Sequence, residues 1–95
     1  LYQKGAHEAA ILKINAFIKK RPESSMVGQM YNLGGLIYLA RKDLATAQTA
    51  FERALRFSPE PVFDHYVQYN LATVHFEAKK FRESRALLLA IQPEV

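Results

Sequence analysis

A chain of 95 residues, 49% hydrophobic and 23% charged, has the make-up of one globular domain near the lower end of what buries a self-sufficient core. It contains no cysteine, which excludes a disulfide framework, a thiolate zinc site and a cysteine nucleophile. Thirteen Lys and Arg against nine acids leave a formal charge of +4, a modest excess that favours acidic partners without reaching the density of a nucleic-acid-binding arm.

No stretch approaches the roughly eighteen consecutive apolar residues that would cross a bilayer, so a soluble protein with no membrane insertion is expected. The chain starts at Leu1 rather than Met and reads as a piece of a longer protein. The compartment stays open, cytoplasmic or bacterial periplasmic.

From Leu1 to about Lys20, Ala10, Ile11, Ile14, Phe17 and Ile18 recur at helical spacing, with Glu8, Lys13, Asn15, Lys19 and Lys20 on the other face. Gly5 suggests a turn before this helix and Pro22 its end. Ser24 and Ser25 offer caps for a second helix, about Ser25 to Arg41. That helix is apolar on nearly every side and must be sandwiched between neighbours. Asp43 suits the N-cap of a third helix, whose stripe is Leu44, Ala47, Ala50, Phe51, Ala54 and Leu55. Glu52 and Arg56 form a favourable i,i+4 pair on its far side. Pro59 stops it, and Pro61 suits the first turn of a fourth helix, about Val62 to Lys79. A fifth runs from Phe81 until Pro93.

Two glycines inside the second helix cost roughly 1 kcal/mol each against alanine. Their presence predicts close helix contact, with Gly35 and Ala47 on facing helices and Tyr38 and Phe51 filling the space beside them. The pair is not a phosphate loop, since no strand precedes it and no Lys-Ser/Thr follows.

A period of 37 residues links Ala10, Ala47 and Ser84, and likewise Ile14, Phe51 and Leu88. Pro22 and Pro59, Gly35 and Ala72, and Leu44 and Phe81 keep the same step. The first, third and fifth helices therefore correspond, as do the second and fourth.

Gly35, Tyr38, Ala47, Phe51, Ala54 and Pro59 stand at the spacings of a tetratricopeptide repeat, and the chain resembles that family, with Tyr31 where its tryptophan usually stands. The usual repeat is about 34 residues; the stretched unit is similar to repeats of bacterial envelope members. The resemblance implies an all-α, right-handed superhelical stack of antiparallel helix pairs, an α-solenoid of about two and a half repeats and five helices. Its divisions are the second helix of one repeat at 1–22, a full repeat at 25–59 and another at 61–93. It implies a protein–protein interaction scaffold that holds a peptide or helix of a partner in a concave groove and helps assemble a multiprotein complex. Counted from the packing residues, that groove is lined by Gln29, Asn32, Leu36, Tyr66, Tyr69, Asn70 and Thr73. Tyrosines with one wet edge are good anchors, burying much area with few rotamers to freeze. The groove lacks the lysines and arginines with which chaperone-binding members clamp a C-terminal carboxylate.

No cofactor, metal or enzyme activity is expected. His7, His65 and His75 have no second ligand-type residue three or four positions on, and no nucleophile elbow or paired catalytic carboxylates occur. Lys19-Lys20-Arg21, Arg41-Lys42 and Lys79-Lys80 fall at helix ends, where cations complement the helix dipole. Their alternative role is a basic ridge for RNA, as in RNA-binding helical repeats. Leu87, Leu88, Leu89 and Ile91 give the fifth helix more apolar surface than one neighbour covers. That points to self-association through the terminal helices or to further repeats.

Overall fold

Proline, a polar turn or a capping residue falls in each gap between the helical patterns, and the chain folds back at each of them. The computed structural model describes residues 4–57 and 61–91. Among them five α-helices follow in order: α1 (Lys4–Lys20), α2 (Val27–Ala40), α3 (Leu44–Arg56), α4 (Pro61–Glu77) and α5 (Phe81–Ile91). No strand occurs among the described residues. Leu1, Tyr2, Pro59 and Pro93 lie outside them.

Local chemistry accounts for most boundaries. Asp43 caps α3, its Oδ1 accepting from the Thr46 amide at 3.3 Å. Pro61 opens α4, where its fixed φ is preorganised and its missing N–H is not needed. Two expectations are corrected. Gly5 lies inside α1 rather than at a turn; a Cβ there would meet nothing within 4 Å, so the helix runs through it. The second helix begins at Val27, two residues after Ser25, with no side-chain cap. Ser24 ends the preceding turn instead, its Oγ accepting from the Met26 amide at 3.1 Å and its carbonyl from Val27 at 3.2 Å. On α3, Glu52 is engaged one turn back by Gln48 Nε2 at 3.2 Å.

The 37-residue period is repeated in backbone geometry. Lys42 and Lys79 both adopt a left-handed conformation, φ 62° and 63°, which closes α2 and α4 in the manner of a Schellman turn. The Lys42 amide donates to Leu39 O at 3.0 Å and Asp43 to Tyr38 O at 2.9 Å. Lys79 donates to Phe76 O at 3.0 Å and Lys80 to His75 O at 2.7 Å, the same bonds 37 residues on. A lysine rather than a glycine holds each such position, at a cost of order 1 kcal/mol. The hairpin hydrogen bonds and packing outweigh it twice.

Each helix touches the next in sequence, and α2 also reaches α4. The helix that is apolar all round is thus in contact with α1, α3 and α4. The core forms where α2, α3 and α4 meet: Ala47, Phe51 and Ala54 of α3 with Val67, Leu71 and Val74 of α4. Leu36, Tyr38, Leu39 and Leu44 pack on its border. Phe51 is the largest fully buried side chain of the three that fill it. Its ring lies where a Cβ on Gly35 would stand, 2.6 to 2.9 Å away. Gly28 makes a second close approach, its missing Cβ falling 2.6 Å from the Phe57 carbonyl oxygen. At the open end of this hairpin Tyr31 stacks on Phe57, with ring centroids 5.8 Å apart, and the Arg53 guanidinium lies 5.9 Å from the Tyr31 ring.

Candidate functional site

Helices α2 and α4 lie side by side, and the seven residues expected to line a groove sit on them in four different settings. Gln29 is exposed and so is Tyr66, at 50%. Leu36 is half-buried against the core. Asn32 and Asn70 are each only 6% exposed and face one another, Asn70 Nδ2 donating to Asn32 Oδ1 at 2.9 Å. These two amides form the tie between α2 and α4 rather than exposed hooks for a peptide backbone. Tyr69 is 57% exposed, and Thr73 donates its hydroxyl to the Tyr69 carbonyl at 3.1 Å.

A buried side-chain amide pair is costly to break on one side only, because the remaining amide loses its partner without regaining water. Asn32→Leu is expected to cost roughly 1–2 kcal/mol, whereas Asn32→Leu combined with Asn70→Leu recovers most of that loss. A double-mutant cycle by urea denaturation checks this. Additive losses would show that the pair contributes nothing as a pair.

Two apolar depressions open on α2 and α4, and neither asparagine lines them. One, of about 380 Å³, lies between α1 and α2 and is lined by Ala6, His7, Ala10, Leu33, Leu36 and Ile37. Sequence reasoning missed it; the available signal was Leu33, left over once the other faces of an all-apolar helix are covered. The other lies on α4 and α5. Tyr69, Ala72, Thr73, Phe76, Ser84 and Leu88 line a volume of about 210 Å³, which shares Phe76, Ser84 and Leu88 with an adjoining one of about 360 Å³ reaching Phe81, Arg85 and Leu89. Leu36 thus looks into the first depression and Tyr69 with Thr73 into the second. Gln29 and Tyr66 line neither.

Of the repeat-packing residues, Gly35, Ala47, Phe51 and Ala54 are buried and Tyr38 packs on the core cluster. His75, which stands 37 residues after Tyr38, is buried at 9%, and its Nδ1 has no hydrogen-bond partner among the described residues. No group of three or more His, Asp or Glu side chains that could hold a metal ion occurs among them. Among the described residues no helix is long and apolar enough to cross a membrane. The basic residues Lys19, Lys20, Arg41, Lys42, Lys79 and Lys80 are exposed at helix ends. Lys42 Nζ lies 3.0 Å from Glu77 Oε1, tying the α2–α3 turn to the end of α4. An ion pair this exposed contributes little to stability.

Neither a family model, a curated protein nor a solved structure matches this chain.

Proposed function

We propose that this chain is a tetratricopeptide-type helical scaffold, about two and a half repeats of a right-handed superhelix, that holds a peptide or helix of a partner protein and so helps assemble a multiprotein complex. The observation that carries this reading is the repetition of the left-handed lysine and its two closing hydrogen bonds from the α2–α3 turn at the α4–α5 turn. A unit that repeats in backbone geometry as well as in sequence is the hallmark of a chain that buries its apolar faces against its own neighbouring copies. Such stacks leave the side facing away from those contacts free for ligands.

In this reading the groove is lined by Gln29, Leu36, Tyr66, Tyr69 and Thr73, while Asn32 and Asn70 tie α2 to α4. The tyrosines are the expected anchors, since a rigid ring half out of water gains most from a partner that covers it. Replacing Tyr66 and Tyr69 together by alanine should abolish retention of the protein partner. Because both rings are at least half exposed, the thermal melt should stay nearly unchanged. Retention unaffected by the double substitution would move the binding face elsewhere, and a collapse of the melt would return both rings to the core.

A further inference from the structure

The exposed α4–α5 face has an internal template for what covers it. Tyr69, Thr73, Phe76, Phe81, Ser84 and Leu88 stand 37 residues after Asn32, Leu36, Leu39, Leu44, Ala47 and Phe51. The earlier six are engaged: Asn32 bonds to α4, Leu36, Leu39 and Leu44 pack half-buried on the cluster that α4 completes, and Ala47 and Phe51 are 0% exposed. The later set forms the floor and walls of the α4–α5 depression, with Phe76 at 60% and Leu88 at 41% exposure. Phe76 and Phe81 meet edge to face, centroids 5.2 Å apart, and wall one side.

We propose that this α4–α5 face docks a separate amphipathic α-helix of α4's own chemistry, apolar at the i, i+4, i+7 spacing of Val67, Leu71 and Val74 and acidic at its flanks. The spacing comes from α4, whose Val67, Leu71 and Val74 are the buried apolar residues that cover α3. The charge comes from both sides of the contact. Helix α4 carries Asp64 and Glu77 and neither Lys nor Arg. Residues 79–91 carry Lys79, Lys80, Arg82 and Arg85 against Glu83 alone, and Arg85 lines the depression. An acidic helix is therefore steered to this face and held at its rim.

A second copy of the chain fits less well. Helix α1 corresponds to α3 and α5, so head-to-tail stacking would bring it where a helix of the α2 and α4 kind belongs. It also carries Lys4, Lys13, Lys19 and Lys20 against Glu8, so it would meet the basic α5 with like charge. This surface shares Tyr69 and Thr73 with the groove but not Tyr66 or Gln29, so Tyr66→Ala tells the two apart.

The test uses a fluorescein-labelled peptide with the sequence of residues 61–77, titrated with the 95-residue chain and followed by anisotropy, with sedimentation at the same concentrations. Saturable binding to a monomeric chain is expected. Leu88→Glu should weaken it by about tenfold or more, as expected for losing a large apolar contact. Arg85→Glu, at an exposed rim position where the helical circular dichroism should stay intact, should weaken it by roughly threefold to tenfold, an effect that shrinks in salt. Tyr66→Ala should leave it unchanged. Absence of binding, or equal binding by the wild type and Leu88→Glu, would overturn the proposal. So would a chain that dimerises at these concentrations and becomes monomeric on Leu88→Glu, which would make a second copy the occupant.

Discussion

Phe51→Ala is expected to lower stability by about 3–5 kcal/mol, most of what a domain of this size possesses. The ring is fully buried and stands at the meeting of three helices: it fills the space left by Gly35 on α2, belongs to α3, and shares the cluster with Val67, Leu71 and Val74 of α4. Its removal loses the transfer energy of the ring and leaves a cavity that two hairpins would have to move to close. Phe51→Leu, keeping most of the volume, should cost less. Urea denaturation of the three proteins measures both. A loss below about 1 kcal/mol for alanine would mean that the site collapses freely and that Phe51 is not the keystone of the α2–α3–α4 contact.

The second large effect is steric. Gly28→Val should cost about 3 kcal/mol, the upper end of overpacking penalties. The new Cβ would stand 2.6 Å from the Phe57 carbonyl oxygen and 3.1 Å from its carbon, and this is backbone that cannot swing aside. Gly28 has no positive φ, so the penalty is contact and not backbone strain. Gly34 supplies the control: its missing Cβ meets nothing nearer than Ile14 Cγ2, at 4.0 Å. Gly34→Ala should therefore gain part of the roughly 1 kcal/mol by which alanine exceeds glycine in a helix. Opposite signs at these two positions of one helix, read from the same melts, are the expected result. Destabilisation at Gly34 would show that α1 sits closer to α2 than the 4.0 Å contact describes.

Those two glycines also mark how far the sequence could be read. Breaks and caps are local chemistry, so Pro22, Asp43 and Pro61 announced the helix ends within a few residues. The 3.6-residue stripe of α3 fixed its buried face, because Gln48, Glu52 and Arg53 opposite it leave one orientation. Helix α2 has no polar face, and nothing in its own residues sets its rotation about its axis. Gly34 and Gly35 read alike as close-contact glycines, yet neighbours on a helix point about 100° apart. Gly35 therefore meets Phe51 of α3 and Gly34 meets Ile14 of α1.

The same freedom explains the asparagines. Counting outward from Gly35 put Asn32 and Asn70 on the groove, whereas the way α4 lies against α2 turns both inward to bond one another. They are 38 residues apart and not 37, so the period alone pairs Asn32 with Tyr69. The open α4–α5 face was legible as excess leucine on the last helix. Which residues complete it depended on the tertiary contact: Phe76 and Tyr69 come from α4, while Leu87 turns inward to the core.

A scaffold that holds protein and a basic ridge that holds RNA differ most plainly in salt. Phosphate contacts weaken steeply with ionic strength, by roughly a thousandfold or more between 50 and 200 mM for a protein that makes several of them. The apolar and tyrosine contacts proposed for this chain lack that dependence. The most direct measurement is retention on the immobilised chain from total cell extract at low and high salt, with protein and nucleic acid both counted in the eluate. A defined protein retained at both salt concentrations, and lost with Tyr66→Ala and Tyr69→Ala, is the predicted result. RNA as the only retained material, released at high salt and indifferent to the two tyrosines, would contradict it.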